Sequence, residues 1–446
     1  MRASADGQRG LPRLLGITDL VLLAVGTVIG SGIFLVPAVV LRQTNGSLTV
    51  ALLVWVVAGV LSLLGALTYA ELGAERPDTG GLYAYIRDAF GPLPAFLYGW
   101  TTFFVIASGS VATLAVAFAS YLQTFVTLTP WQAKGVAVGM LVVIAVINVR
   151  GTRHSAGVQN WSTGIKTFAI VAMSVALLSR GQMLSGAFGP LPPMTPSLLA
   201  GIGLAMIAVL WAYEGWQYVT FAAGEAIDPQ RTFPRAITIG TALLILIYVA
   251  ANLGYVAALG AVGVGQSDRV AAAAVGATYG PSAARLIAAV ILVSMFSAAN
   301  GLTLTAPRLY FSMARDGVFF HRLGEVPPRF GTPAFAVIAG STWAILLAAT
   351  GTFEQLLTYV VFAGWIFYGL GAVSIFVFRR RAQVTPPTFR VPGYPVTPVL
   401  FVIAAAGIVV NALVTAPRQA FVGLAMVLLG IPVYWFWSRK AVSHGG

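Results

Sequence analysis

The stretch Gly26-Thr27-Val28-Ile29-Gly30-Ser31-Gly32-Ile33-Phe34 places three glycines within seven residues, in the middle of an apolar run over 17–40. That run is long enough to cross a bilayer. Each glycine in a helix interior costs roughly 1 kcal/mol against alanine. In lipid, broken backbone persists only where protein or a water-filled cavity satisfies the freed groups. Gly30-Ser31-Gly32 therefore reads as a break, with a second half-helix starting near Ser31 whose first N–H groups favour an anion. Close helix packing through Gly26 and Gly30 is the competing reading, since a G-x-x-x-G pair brings helices together. It does not account for Gly30-Ser31-Gly32, which puts small residues on several faces at once. A second interruption, Trp211-Ala212-Tyr213-Glu214-Gly215-Trp216, carries an acid and a glycine inside another apolar run, 197–224. Two interrupted crossings at matching places in two halves of a chain point to a transporter binding site between them.

Such breaks complement both signs of charge: the backbone N–H groups of Ser31 and Gly32 and the Ser31 hydroxyl fit a carboxylate, while unwound carbonyls fit an ammonium. Two ionisable residues lie deep in apolar runs. Lys166, flanked by Ile165, Phe168, Ala169 and Ile170, costs roughly 3 kcal/mol at a bilayer centre and must face the interior. It is either a proton carrier or a fixed amine bracing the first crossing against the fifth. Glu214 can pair with a cationic substrate side chain, bind a proton, or serve structure alone, and the residues do not choose among these. Asp19 and Glu71 fall near the ends of their runs. Asn300 is either a polar contact to the first crossing or a helix–helix hydrogen bond. Glu225, Asp228, Arg231 and Arg235 form an inner gate or a structural ion-pair cluster, the latter preferred because exposed pairs are worth little. Arg379-Arg380-Arg381 fixes topology, with lipid headgroups as a minor partner.

The elements that position these residues follow from composition. The chain is 58% hydrophobic and 9% charged over 446 residues, with mean hydropathy +0.87, which indicates an all-α polytopic membrane protein. The net charge of +13 lies mostly between apolar runs, which argues against nucleic acid. The first apolar run is too long for a cleavable signal. No cysteine is present, so neither a disulfide nor a thiolate metal site can form, and His154, His321 and His444 fall in loops or the tail. No metal or cofactor is expected. An intramembrane enzyme is not expected, since H-E-x-x-H is absent and Glu214 has no second deep acid beside it.

Twelve crossings are expected: 17–40, 48–72, 93–125, 136–148, 158–178, 197–224, 236–259, 286–306, 334–349, 356–378, 398–414 and 420–437. The third must tilt or extend beyond the bilayer, and the fourth is the shortest. With the N-terminus inside, nineteen basic residues lie on the cytoplasmic side: Arg2, Arg9, Arg13, Arg76, Arg87, Arg150, Arg153, Arg231, Arg235, Arg308, Arg315, Arg322, Arg329, Arg379, Arg380, Arg381, Arg390, Arg439 and Lys440. Six lie opposite: Arg42, Lys134, Arg180, Arg269, Arg285 and Arg418. Both termini are therefore expected in the cytoplasm of a cell (inner) membrane protein. Breaks in crossings one and six imply a five-plus-five inverted repeat: a transport core over 1–390, then two appended crossings and a tail over 391–446. The Pro- and Thr-rich stretch 384–398 reads as a linker.

The sequence resembles the amino acid–polyamine–organocation superfamily, and within it the L-type amino acid transporter family. The resemblance is carried by Gly30-Ser31-Gly32-Ile33-Phe34 with Pro37, Tyr83-Ala84-Tyr85-Ile86 with Phe90-Gly91-Pro92, and Trp211-Ala212-Tyr213-Glu214-Gly215-Trp216. Gly224-Glu225-Ala226-Ile227-Asp228-Pro229, Phe233-Pro234-Arg235, Asn300-Gly301, Arg308-Leu309-Tyr310-Phe311, Ala314-Arg315-Asp316-Gly317 and Gly430-Ile431-Pro432 continue it in order along the chain. It implies amino acid transport by alternating access. The implied substrate contacts are Val28, Ile29, Gly30, Ser31 and Gly32 in crossing one, Trp211, Ala212, Tyr213 and Glu214 in crossing six, and Asn300. Within these, Val28, Trp211 and Glu214 would receive the ammonium and Trp211 would close over the substrate. Lys166 matches a family lysine in the place where sodium-coupled relatives of the fold bind an ion, which implies sodium independence, as an exchanger or a proton-linked carrier. Animal members of the family bind a single-pass glycoprotein through a disulfide; with no cysteine here, no covalent heavy-chain partner is expected. A polyamine carrier and a non-transporting amino acid sensor on the same fold are the alternatives. The expected partners are a small L-amino acid and membrane lipid.

Overall fold

Apolar runs bounded by caps and glycine or proline turns set the elements of the chain. The computed structural model describes residues 13–77, 80–181, 184, 187–381 and 388–443. Arg2, Arg9, His444 and part of the 384–398 linker lie outside the described residues. Among those described, ten helical segments are long and apolar enough to span a bilayer, and a bent pair makes an eleventh. The ninth expected crossing is the apolar helix Ala334–Thr350. Its 17 residues give it a length of about 25 Å, a little less than the hydrocarbon core.

The fourth crossing is longer than its hydropathy suggests, running over Pro130–Val149. Thr129 caps it by accepting from the Gln132 N–H, while the Gln132 side chain accepts from the Thr129 N–H. This reciprocal cap with Pro130 behind it starts a helix six residues before the first strongly apolar position. The long third crossing contains Pro92–Thr101, a π turn at Thr102–Ile106, and Ala107–Leu122. At the π turn the Ser108 hydroxyl donates to the Phe103 carbonyl, absorbing a backbone acceptor that the wider turn exposes.

Both expected breaks are present. Crossing one is Ile17–Val28 followed by Gly32–Gln43, bent by 43°. Crossing six is Pro196–Ala212, then a 3-10 helix over Trp216–Glu225. Between its halves Gly215 has φ +133°, a conformation that excludes a side chain.

Packing relates the two halves. Crossing one packs on six, two (Leu48–Glu75) on seven (Pro229–Gly265), three on eight (Pro281–Arg315), and four on nine. Crossing five (Thr152–Arg180) packs on eight as ten (Phe353–Arg380) packs on three. Each of the first four crossings thus meets its counterpart in the repeat, and five and ten make equivalent contacts across it, as an inverted five-plus-five fold requires. Crossings eleven (Val396–Thr415) and twelve (Pro417–Ser443) lie against ten, and against two and three respectively.

Two ion pairs differ from the sequence reading. Arg308 is not a loop charge: it lies within crossing eight, buried, with Nε 2.7 Å from Glu225 Oε1 and Nη1 donating to the Leu304 carbonyl. Glu225 is therefore paired across to crossing eight, not within a cluster with Arg231 and Arg235. Arg379 is not a free topology charge either. It donates twice to Glu71, at 2.7 Å each, and lies 3.7 Å over the Tyr394 ring. A buried guanidinium deprived of its carboxylate is strongly destabilised. Glu225→Ala is expected to lower stability by about 3–5 kcal/mol, against under ~1 kcal/mol for Glu325→Ala at the exposed His321–Glu325 pair; thermal unfolding of the purified protein measures both.

Candidate functional site

The two breaks pass each other at backbone distance. A Cβ added to Gly32 would lie 2.5 Å from Ala212 Cα, and one added to Gly215 would lie 2.8 Å from the Thr27 carbonyl oxygen. Only glycine permits this approach. The freed backbone groups are met by side chains from outside the breaks. The Thr27 hydroxyl lies 3.1 Å from the Gly215 carbonyl oxygen, and the Tyr248 hydroxyl lies 3.1 Å from that of Val28 and 3.0 Å from that of Ala212. Tyr248, on crossing seven, thus touches both breaks.

Lys166 closes the end of the first half-helix. Its Nζ donates to the carbonyls of Gly26 and Ile29 at 2.6 Å each and to that of Ser294 at 3.4 Å. The Ser294 hydroxyl also donates to the Ile29 carbonyl, at 3.0 Å. An ammonium at a helix C-terminus meets the negative end of its dipole. Of the two roles left open by sequence, this geometry matches the amine that ties crossing one to five, with eight added to the tie.

The second half-helix begins at Ser31, which occupies its N-cap position. The Ser31 hydroxyl is 1% exposed and has no hydrogen-bond partner among the described residues. It lines a small cavity of about 20 Å³ between the breaks, whose wall also includes Val28, Gly30, Gly32, Trp211 and Glu214. That space holds about one water molecule.

Two neutral side chains hold Glu214. Its Oε1 accepts from the Tyr368 hydroxyl and from Gln217 Nε2, and Gln217 Nε2 lies 2.8 Å from the Tyr368 hydroxyl. Gln217 Oε1 in turn accepts from the Gly215 N–H at 3.2 Å, so the triad is anchored to the break itself. Trp211 closes one side of the cavity and has Phe353 edge-on to it at 6.4 Å.

Six of the ten residues read as substrate contacts line this cavity, and four do not. Ile29 sends its carbonyl to Lys166, Ala212 backs onto Gly32, and Tyr213 packs on Trp55 and Tyr248. Asn300 faces crossings four and five, accepting from Asn148 Nδ2 at 2.9 Å and donating to Gln159 Oε1 at 3.1 Å. It is a helix–helix contact. Ser110, Leu114 and Leu302 line the cavity without any signal in sequence. Gln217 had one, standing three residues after Glu214 near the start of the second half. Among the described residues no three His, Asp or Glu converge as metal ligands.

One end of the site is sealed by backbone. The N–H groups of Leu14 and Leu15 donate to the Glu225 carbonyl at 2.9 Å, and the Ile227 N–H donates to Leu15 at 2.8 Å. The short helix Leu82–Phe90 covers the same end, docked where a Cβ on Gly81 would overlap Thr220.

The amino acid permease family model matches residues 15–437, and the chain belongs to that family. The serine/threonine exchanger SteT of Bacillus subtilis is 29% identical over 441 residues, covering 97% of this chain and 99% of that protein. The large neutral amino acids transporter small subunit 2 of Rattus norvegicus is 30% identical, over 98% of this chain and 84% of that one. The human b(0,+)-type amino acid transporter 1 is 31% identical, over 96% and 90%.

The close passage of the breaks makes a steric prediction. Gly32→Ala is expected to lose about 1–3 kcal/mol of stability by overpacking. Gly139→Ala, with nothing within 4 Å of the added carbon, is expected to be neutral or slightly stabilising through helix propensity. Melting temperatures of the two variants decide it.

Proposed function

We propose that this member of the amino acid permease family carries small neutral L-amino acids by alternating access, without sodium, as an exchanger. The observation that supports it most directly is the pair of interrupted crossings facing each other across a small cavity, with the unpartnered Ser31 hydroxyl at a half-helix start. In this reading the substrate carboxylate lies against the N–H groups of Ser31 and Gly32 and the Ser31 hydroxyl. The ammonium faces the Val28 and Trp211 carbonyls and the Glu214 carboxylate. The ion position is filled by the Lys166 ammonium, which leaves no room for sodium. Serine and threonine are named for one relative and large neutral amino acids for another. The small volume of the cavity, with Trp211, Leu114 and Leu302 in its wall, favours the former class here. Because Tyr368 and Gln217 already donate to Glu214, no cationic side chain is needed to compensate it.

Movement between states requires the cavity to enlarge and one seal to part at a time. Both termini lie in the cytoplasm in this reading, so the Leu15–Glu225 seal is the inner one and Trp211 with Phe353 the outer. Residues 1–390 form the transport core and 391–446 an appended pair in the cell membrane. The absence of cysteine leaves no covalent heavy-chain partner, and the chain is a transporter rather than an enzyme.

Thermal stabilisation across the amino acids, followed by counterflow in proteoliposomes, tests this reading. Serine, threonine and alanine are expected to stabilise, by about 2.7 kcal/mol at a hundred times Kd, and to exchange equally in sodium, potassium or choline. Stabilisation without flux identifies a sensor. Serine methyl ester and ethanolamine, which lack the carboxylate, are expected to do neither; if ethanolamine is carried as well as serine, the chain is an amine carrier. Glu214→Gln is expected to weaken all these substrates by about 1–3 kcal/mol, as for a charged hydrogen bond. Arginine outcompeting serine on the wild type, and losing that advantage in Glu214→Gln, makes Glu214 a cation selector instead.

A further inference from the structure

A second cavity is larger than the one between the breaks. At the ends of crossings three, four, nine and ten remote from the Leu15–Glu225 seal lies a space of about 240 Å³. Val116, Ala119, Ala137 and Ala348 make its walls apolar, and Lys134 and Gln123 stand in its lining. Its chemistry is that of a small-molecule site, with apolar walls and a few polar groups. No feature of the transport site requires it.

Its charge is positive. Lys134 sits in the lining, and Arg269 reaches the same rim by donating to the carbonyl of Ser120, another lining residue, at 3.5 Å. Asp268 precedes Arg269 in the adjoining loop. Its depth is that of the membrane interface. Trp131, 80% exposed, lies one turn from Lys134 with the ammonium 5.3 Å from its ring, and Phe125 and Val126 are exposed at the same end. Exposed aromatics beside a basic residue mark the headgroup level, and basic pockets between helices hold anionic headgroups.

We propose that this cavity binds an anionic phospholipid of the surrounding leaflet, its acyl chain between the apolar walls and its phosphate at Lys134, and that the bound lipid controls the lid over the substrate cavity. The connection is Phe353. It lines the lipid cavity and meets Trp211, the wall of the substrate cavity, edge to face. A chain lying against Phe353 restricts the space into which Trp211 and Phe353 move when that side opens. The lipid therefore alters the rate of opening and leaves substrate contacts untouched.

The binding half of this inference stands without the transport reading and is tested separately. Native mass spectrometry of the purified full chain, with dioleoylphosphatidylglycerol and dioleoylphosphatidylcholine in competition, reads retention directly. The wild type is expected to retain phosphatidylglycerol preferentially. Lys134→Gln is expected to lower that retention roughly fivefold, the worth of one basic side chain beside an anionic headgroup. Ala348→Leu, which fills the cavity without changing charge, is expected to abolish it; if that variant does not fold, Lys134→Gln alone decides. Serine-induced thermal stabilisation should be unchanged in both, while the exchange rate in phosphatidylglycerol vesicles moves to the wild-type value in phosphatidylcholine. Equal retention of the two lipids by the wild type, or unaltered retention by Lys134→Gln, overturns the site. Displacement of the lipid by serine makes the cavity an antechamber of the substrate path, and replacement of its effect by oleate in phosphatidylcholine makes the ligand a free fatty acid; either outcome overturns the assignment. Retention lost without any change in exchange rate overturns the control of the lid.

Discussion

A backbone carbonyl left bare inside a membrane has no water to turn to, and two interrupted crossings bare several at once. Several polar side chains around the breaks answer this problem. Lys166 takes Gly26 and Ile29, Ser294 supports Ile29, the Thr27 hydroxyl stands within reach of Gly215, and Tyr248 can serve either Val28 or Ala212. The groups left over define the cavity: the Ser31 hydroxyl, the first N–H groups after it, and the Glu214 carboxylate. The wall of the cavity is what remains after the scaffold has satisfied itself. Lys166 shows the economy best, because its one nitrogen faces three carbonyl oxygens.

The same constraint explains the ionic contacts at the sealed end. Glu225 uses its carbonyl to hold the start of crossing one and its carboxylate to hold Arg308 in crossing eight. Crossings one, six and eight are thereby joined through one residue. A buried pair of this kind adds little net stability over apolar packing, but it fixes register, since neither charge can be left alone. The Glu71–Arg379 pair does similar work between crossings two and ten, and Glu71 also receives the Val391 N–H at the entry to crossing eleven.

Much of this was legible in the residues. Glycine in mid-membrane has a backbone reason to be there, so Gly30-Ser31-Gly32 and Glu214-Gly215 announced both breaks, and apolar runs announced the twelve crossings. Lys166 was legible because a charge in lipid must be explained. What remained hidden was tertiary. Tyr248, Tyr368 and Asn148 sit in ordinary helical sequence, and a tyrosine in a crossing gives no sign of which carbonyl it will meet. Arg308 was read as a loop charge because hydropathy cannot distinguish an arginine at the end of a helix from one folded back against a partner glutamate. Asn300 was assigned to the site by resemblance, and its direction around the helix axis, toward crossings four and five, is a property of packing alone.

Tyr248 holds one further consequence. Its hydroxyl carries a single hydrogen and stands at 3.1 and 3.0 Å from two carbonyl oxygens on different crossings. At any instant it can donate to only one. The two choices are nearly matched in distance, so the proton is a token that passes between crossing one and crossing six by rotation about a single C–O bond. If the distances to the two carbonyls change, the bond can pass from one to the other without a net hydrogen bond being lost.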